Sequence, residues 1–341
     1  MIYNVNDEGE SRSMNLISRR EVLKVIAVAI LAQQAWSAGA QEAFPSRPLR
    51  LVVPFPPGAL TDVLGRAVGE RLARALGQPV VVDNKPGAGT LIGAEFVAKS
   101  PADGYTLLIS TSTTFGIAPA LYKSPQIDPT RDFQPLSLLG TVNFFLIATP
   151  TFPAKTMREM IDAVKADPGK YNYASVGNGS AHHLFMEDLK RRFGLDLQHV
   201  PYKGTGAAIA DLMSGKIQVM FCDATLAVPN IQAGKVKTYG TSAAKQNALI
   251  ASVAPIAQTV PGFDWQAWQG VSAPAATPPA VIARLSGELQ KFQQTAEFRE
   301  FLVRIGMDPS PAISPAEFGE FVRLEMRRWA EAVRVSGAKL D

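Results

Sequence analysis

The sequence predicts an α/β protein of two lobes, each a central, mostly parallel sheet flanked by helices, with a ligand cleft between them. Three observations carry this reading. Short apolar runs alternate with amphipathic helical stretches along 341 residues, the order that gives parallel strands under covering helices. The alternation occurs in two series of similar layout. Apolar segments after the first series and after the second read as strands crossing between lobes, and two crossings imply a hinge.

Composition sets the class. With 47% hydrophobic and 19% charged residues, the chain is an ordinary globular protein. The net charge of +4 is spread along the chain, without the basic runs and interleaved aromatics of a nucleic-acid binder. Ser18-Arg19-Arg20-Glu21 precedes an apolar run from Val25 to Ala32, and Ala38-Gly39-Ala40 is a small-x-small cleavage signal. Residues 1–40 are therefore expected to be an export signal with a twin-arginine character, cleaved near Ala40. The apolar run is far short of the ~20 residues that span a bilayer. Met14 is an alternative start, because the stretch before it is polar. The single cysteine, Cys222, excludes a disulfide within the chain, and none follows the signal to carry a lipid. The expectation is a soluble periplasmic monomer with lobe 1 at 41–143 and 265–341 and lobe 2 at 144–264.

The first series opens with Leu49 to Val53, a buried strand stopped by prolines, which cannot continue a ladder. A helix follows, with Leu64, Ala67, Val68, Leu72 and Leu76 near the helical period. Pro79 to Val82 is a second strand, Thr90 to Lys99 a helix, and Tyr105 to Ile109 a third strand before a short helix, Ile117 to Leu121. Pro135 to Thr149 is the first crossing. The second series runs through a helix at Met157–Lys165, a strand at Tyr171–Val176, a helix at Ala181–Phe193 and a strand at Leu197–Pro201. It continues with a helix at Ala207–Met213, strands at Ile217–Cys222 and Val236–Thr241, and a helix between them through Ile231. Trp265 to Val271 returns to the first lobe, and helices at 278–293, 296–304 and 315–335 close the chain.

Four strand-to-helix loops would converge on the cleft. One runs through Phe55, Pro56, Gly58, Ala59, Thr61 and Asp62, and a second through Thr111, Ser112, Thr113 and Thr114. The third holds Ser175, Gly177, Asn178, Gly179 and Ser180, followed by His182, and the fourth begins at Asp223. Their chemistry is hydroxyls, glycines and backbone amides, suited to a small anion held by oriented dipoles at helix N-termini. Each loop alone also fits an ordinary N-cap; four at equivalent positions of two lobes favour a site. No nucleophile–base pair is visible, His182, His183 and His199 lack further ligands at metal spacing, and the glycines at 87, 89 and 93 miss a dinucleotide frame by one residue. Neither catalytic residues nor a metal or cofactor is expected. The rival is a hydrolase or isomerase built on Asp223 or His182.

Several motifs occur together along the chain: Arg50-Leu-Val-Val-Pro-Phe-Pro-Pro-Gly58 with Thr61-Asp62, Gly77-Gln-Pro-Val-Val-Val-Asp-Asn-Lys-Pro-Gly-Ala-Gly89 and Pro101-Ala-Asp-Gly-Tyr-Thr-Leu-Leu108. They continue in Tyr173-Ala-Ser-Val-Gly-Asn-Gly-Ser180, Val200-Pro-Tyr-Lys-Gly204 and Ala273-Pro-Ala-Ala-Thr-Pro278. In these motifs the chain resembles the Bug-type solute-binding proteins of tripartite tricarboxylate transporters. The resemblance implies a type II-like periplasmic binding protein fold that closes on a small carboxylate, gripped by Pro56–Asp62 and Ser175–Ser180. The closed form would be presented to inner-membrane permease subunits, or to a sensor protein in a signalling member. Three departures from the family pattern, Ala59 for glycine, Phe115 for histidine and Ala224 for asparagine, predict a less polar pocket and a ligand with an apolar or aromatic body.

Overall fold

Leu49–Val53 (β1) is buried on both faces, as a parallel strand between helices must be. Pro54 and the prolines after it end it, and the chain turns directly into a helix, Leu60–Leu76 (α1). Gly77 in the left-handed region ends α1. Val80–Asn84 (β2), the helix Leu91–Ala98 (α2) and Thr106–Thr111 (β3) complete the first series. The computed structural model describes residues 44–122, 126–247 and 249–338, so the stretch 1–40 expected to be an export signal lies outside the described residues. Residues 47–341 form a compact unit of their own.

The predicted crossing at 135–149 is two strands. Phe133–Val142 (β4) belongs to the first sheet and Phe144–Ala148 (β5) to the second, with Asn143 alone between them. The second series then follows in order: Met157–Ala166 (α3), Tyr171–Ser175 (β6), Ala181–Phe193 (α4), Leu197–Pro201 (β7), Thr205–Met213 (α5), Val219–Asp223 (β8), Ala224–Gln232 (α6) and Lys237–Thr241 (β9). Ala267–Pro274 (β10) returns to the first sheet, followed by Pro279–Gln293 (α7), Ala296–Arg304 (α8), Met307–Pro309 (β11) and Pro315–Ser336 (α9).

The first sheet has the order β11-β4-β10-β3-β1-β2, the second β7-β6-β8-β5-β9. Both are mixed rather than mostly parallel. β1 pairs in parallel with β2 and β3, and β6 with β7 and β8. The crossing strands enter from the other lobe and run the opposite way, so β10 is antiparallel to β3 and β4, and β5 to β8 and β9. The same reversal puts the start of β10 beside the end of β3, with Gln269 opposite Thr111.

The crossings are tied to each other. Gln266 Nε2 donates to Asn143 Oδ1 at 2.7 Å, and Asn143 in turn bonds Asp308 at the edge of the first sheet. Ser242 exchanges bonds with the backbone of Phe144, and Trp265 N–H donates to its carbonyl. Helix α9 serves both lobes. Its first turns place Phe318 and Phe321 each 5.7 Å from the Trp268 ring of β10. Two turns on, Trp329 stacks 5.9 Å from Phe185 of α4 and 5.3 Å from Trp265, with Arg328 over Trp265. Ser314 and Glu317 close a full capping box at its start.

Candidate functional site

The β1–α1 loop is organised by Asp62, from within the first turn of its helix. Asp62 Oδ2 accepts from Gly58 N–H at 2.9 Å and Arg66 Nε at 3.1 Å, and Oδ1 from Asn84 Nδ2 at 2.9 Å. Asn84 Nδ2 also donates to the Phe55 carbonyl. Burial opposes ionisation of this carboxyl, yet the Gly58 N–H, Arg66 and Asn84 together hold its pKa below the usual range. Asp62 is buried behind the loop and does not line the cleft. Gly58 supplies the one left-handed residue, φ +80°. Ala59 has an ordinary extended backbone, φ −68° and ψ 158°, so glycine's freedom is not needed there. The first N–H groups of α1, Leu60 and Thr61, lack acceptors within the helix and stand at the loop's mouth.

The second lobe answers with the β6–α4 loop. Ser180 caps α4 by accepting from His183 N–H, and its hydroxyl donates to the Gly177 carbonyl at 2.8 Å. Gly177 N–H donates to Ser175 Oγ at 3.0 Å and Gly179 N–H to His183 Nδ1 at 3.0 Å. Ser175 Oγ also bonds His199 Nε2 at 2.6 Å, and the His183 and His199 rings stack at 4.2 Å. Ser175 and Gly177 thus hold the loop from behind and do not line the cleft. Burial lowers the pKa of His183, and burial with His183 beside it lowers His199 to about 4. Both rings are neutral, as the acceptor role of His183 Nδ1 requires.

Between the loops lies a cavity of about 940 Å³. Phe55, Pro56, Gly58, Ala59 and Thr61 line it from one loop, Thr111, Ser112 and Thr113 from another, and Asn178, Gly179, Ser180, His182 and Asp223 from the second lobe. Sequence reasoning missed Thr90, Leu121, Tyr122, Val142, Phe144, Lys203, Trp268 and Gln269, which also line it. Among the described residues, Lys203 and Asp223 are its only formally charged lining residues, both on the second lobe. His182 is buried and packs edge-on to Phe144 at 4.9 Å. Burial, against the opposing pull of Asp223, lowers its pKa to about 4.

Two of the three departures read as softening the pocket do not face it. Phe115 is fully buried in the first lobe's core, 4.9 Å from the Phe133 ring and 6.2 Å from Trp268. Ala224 is buried against Gly306, where a Cβ would meet the Ala224 methyl at 2.8 Å. The pocket is nevertheless apolar in its walls, through Phe55, Leu60, Ile117, Leu121, Val142 and Phe144. The lobes touch at two points. Gly306 of the first lobe meets Ala224 of the second, and Leu121 lies so close to Gly179 (φ +72°) that any side chain at 179 would collide with it. Among the described residues no group of three or more His, Cys, Asp or Glu is placed to hold a metal ion.

A family model described as the tripartite tricarboxylate transporter family receptor matches residues 64–337. BugT of Bordetella pertussis strain Tohama I is 33% identical over 321 residues, 94% of this chain and 98% of that protein. A solved structure from R. palustris, with adipate, is similar with a TM-score of 0.79 at 31% identity, covering 87% of this chain and 100% of that one. MatC from Rhodopseudomonas palustris, with bound malate, gives 0.75 at 32% identity over 85% and 100%.

Proposed function

This chain belongs to the tripartite tricarboxylate transporter receptor family, and we propose that, as such a receptor, it captures a small carboxylate in the periplasm and delivers it to the permease subunits of a tripartite transporter. Membership makes it a solute receptor and not an enzyme. One observation carries the choice of ligand: the N-termini of α1 and α4, from different lobes, open on one cavity whose lining is nearly uncharged. Oriented N–H groups and two positive helix ends suit a carboxylate without an arginine clamp. Adipate and malate in the related structures agree in chemistry.

Closure follows from the same geometry. A carboxylate that touches both loops binds the closed arrangement better than the open one, and shifts the population by that difference in affinity. The lobes divide at Asn143 and near residue 265, where the crossings are tied by Gln266. Phe55, Leu60, Tyr122, Phe144 and Trp268 replace Phe115 and Ala224 as the support for a ligand with an apolar or aromatic body. The start of the chain, with paired arginines and a small-residue cleavage signal, supports export; a sensor protein in place of the permease would use the same cleft.

Calorimetric titration of the purified protein with malate, adipate and benzoate, followed by recovery of the acid, tests this. Saturable binding of at least one acid, recovered unchanged, is expected, with the more apolar acids favoured over malate. Absence of binding by all, or chemical conversion of a bound acid, would overturn it.

A further inference from the structure

Buried polar atoms in folded proteins nearly always have partners, and an orphan is destabilising. Among the described residues, the buried side-chain nitrogens and oxygens without one belong to Thr90, Ser112, His182, Trp268 and Gln269. All five residues line the cleft. Four of them come from the first lobe, and none of those four is charged. They sit at the cleft end of the first sheet: Ser112 just after β3, Trp268 and Gln269 at the start of β10, and Thr90 at the start of α2.

Thr90 adds an independent sign. Its backbone is left-handed, φ +82°, and Ala88 beside it has φ +46°. A β-branched residue rarely takes this conformation, and such strain collects at ligand sites. Here it holds a threonine that is 5% exposed, with an unpartnered hydroxyl, against the cavity.

We propose that Thr90, Ser112, Trp268 and Gln269 form a second subsite for an uncharged hydrogen-bonding group, a hydroxyl or a carboxamide, on a carboxylic acid whose carboxylate lies at the α1 and α4 N-termini. The inference rests on the carboxylate reading above and narrows it. Trp268 Nε1 only donates and the orphan Gln269 Oε1 only accepts, while the two hydroxyls do both. A hydroxyl or amide satisfies donors and acceptors together. A second carboxylate only accepts, so it would leave Gln269 Oε1 unpaired. It would also be buried on a wall that carries no cation among the described residues, since Lys203 is on the other lobe. The ligand is therefore a monocarboxylate with a neutral polar end.

The test pairs each straight-chain diacid from succinate to suberate with its own monoamide, of nearly the same shape, and titrates both into the wild-type protein and into W268F and S112A at neutral pH. The monoamide of the best-fitting length is expected to bind about tenfold more tightly than its diacid, the worth of roughly one or two hydrogen bonds. W268F and S112A should each shrink that ratio while still binding the plain monocarboxylate of the same length saturably, and unchanged thermal unfolding of both variants shows that they are folded. A diacid that binds as well as its monoamide, or a ratio unchanged in both variants, overturns the second subsite while the carboxylate reading stands. Failure of every acid, the plain monocarboxylates included, overturns both.

Discussion

Asp62 sits one layer behind the ligand surface, and its role is to hold Gly58, Arg66 and Asn84 in one arrangement. Asp62→Ala should lower unfolding free energy by about 2 kcal/mol, the usual worth of buried hydrogen bonds to a charged group. It should weaken carboxylate binding as well, although residue 62 does not line the cleft; urea unfolding and calorimetry check the two effects separately. The histidines give an acid limb. His182 and His199 have folded pKa values of about 4, below the ordinary 6.5, so the folded state prefers them neutral. Their contribution is complete above pH ~6.5 and is lost as the pH falls toward 4, because the unfolded chain takes up the protons first. For the enclosed His182 alone the loss is on the order of 3 kcal/mol. Urea midpoints measured across that range should fall with acid, and His182→Asn should flatten the fall. Binding should fade with acid as well, since a proton on His183 Nδ1 ends its bond from Gly179 N–H. At this scale the sequence was partly legible. Hydroxyls and glycines beside helix starts signal loops that meet in the fold, but which of them face inward depends on contacts such as Asp62 with Asn84, twenty-two positions away. Phe115 illustrates the same limit: its type suggested an apolar pocket, while the turn after β3 directs it to the core.

The elements were more visible than the surface they build. The boundaries of β1, α4 and α8 follow from apolar period, proline stops and caps, all local signals. What stayed hidden was which end of the returning strand reaches the cleft. Trp268 and Gln269 lie at the start of β10, and only its antiparallel pairing with β3 brings them beside Thr111. A crossing strand that comes back from the other lobe must begin at the interlobe side, and that rule could have placed them. The β6–α4 loop supports a prediction of its own. Gly179→Ala forces a left-handed backbone on an L side chain, costing about 1–2 kcal/mol, and drives a methyl into Leu121 across the cleft. Carboxylate affinity should drop, and Leu121→Ala in the same protein should recover part of it. Equal losses in the single and double variants would show that strain alone, and not the lobe contact, is responsible.

For the molecule as a whole, the two lobes are coupled by more than their two crossings. Helix α9 packs Phe318 on the first lobe and Trp329 on α4 of the second, and Gly116 of the first lobe lies directly against the Trp329 ring. Trp329→Ala should cost about 3–5 kcal/mol through the cavity it leaves, seen in denaturant unfolding. Because that cavity opens between the lobes, the variant should also change ligand affinity, whereas a comparable truncation of Phe298, a buried residue of α8 packed on Phe292 of α7, should change stability alone. The sequence shows α9 as an amphipathic helix with a capping box; that it belongs to both lobes is a property of the assembled fold.

The same aromatic cluster has an optical consequence. The sequence holds four tryptophans. Trp36 falls within the predicted leader, and the other three are Trp265, beside the second crossing, Trp268, on the cleft wall, and Trp329, between the lobes. Once the leader is removed, all of the indole emission comes from groups whose surroundings change when the lobes move. If the lobes close on the ligand as proposed, the unlabelled protein should report it, and a fluorescence titration would follow capture in real time.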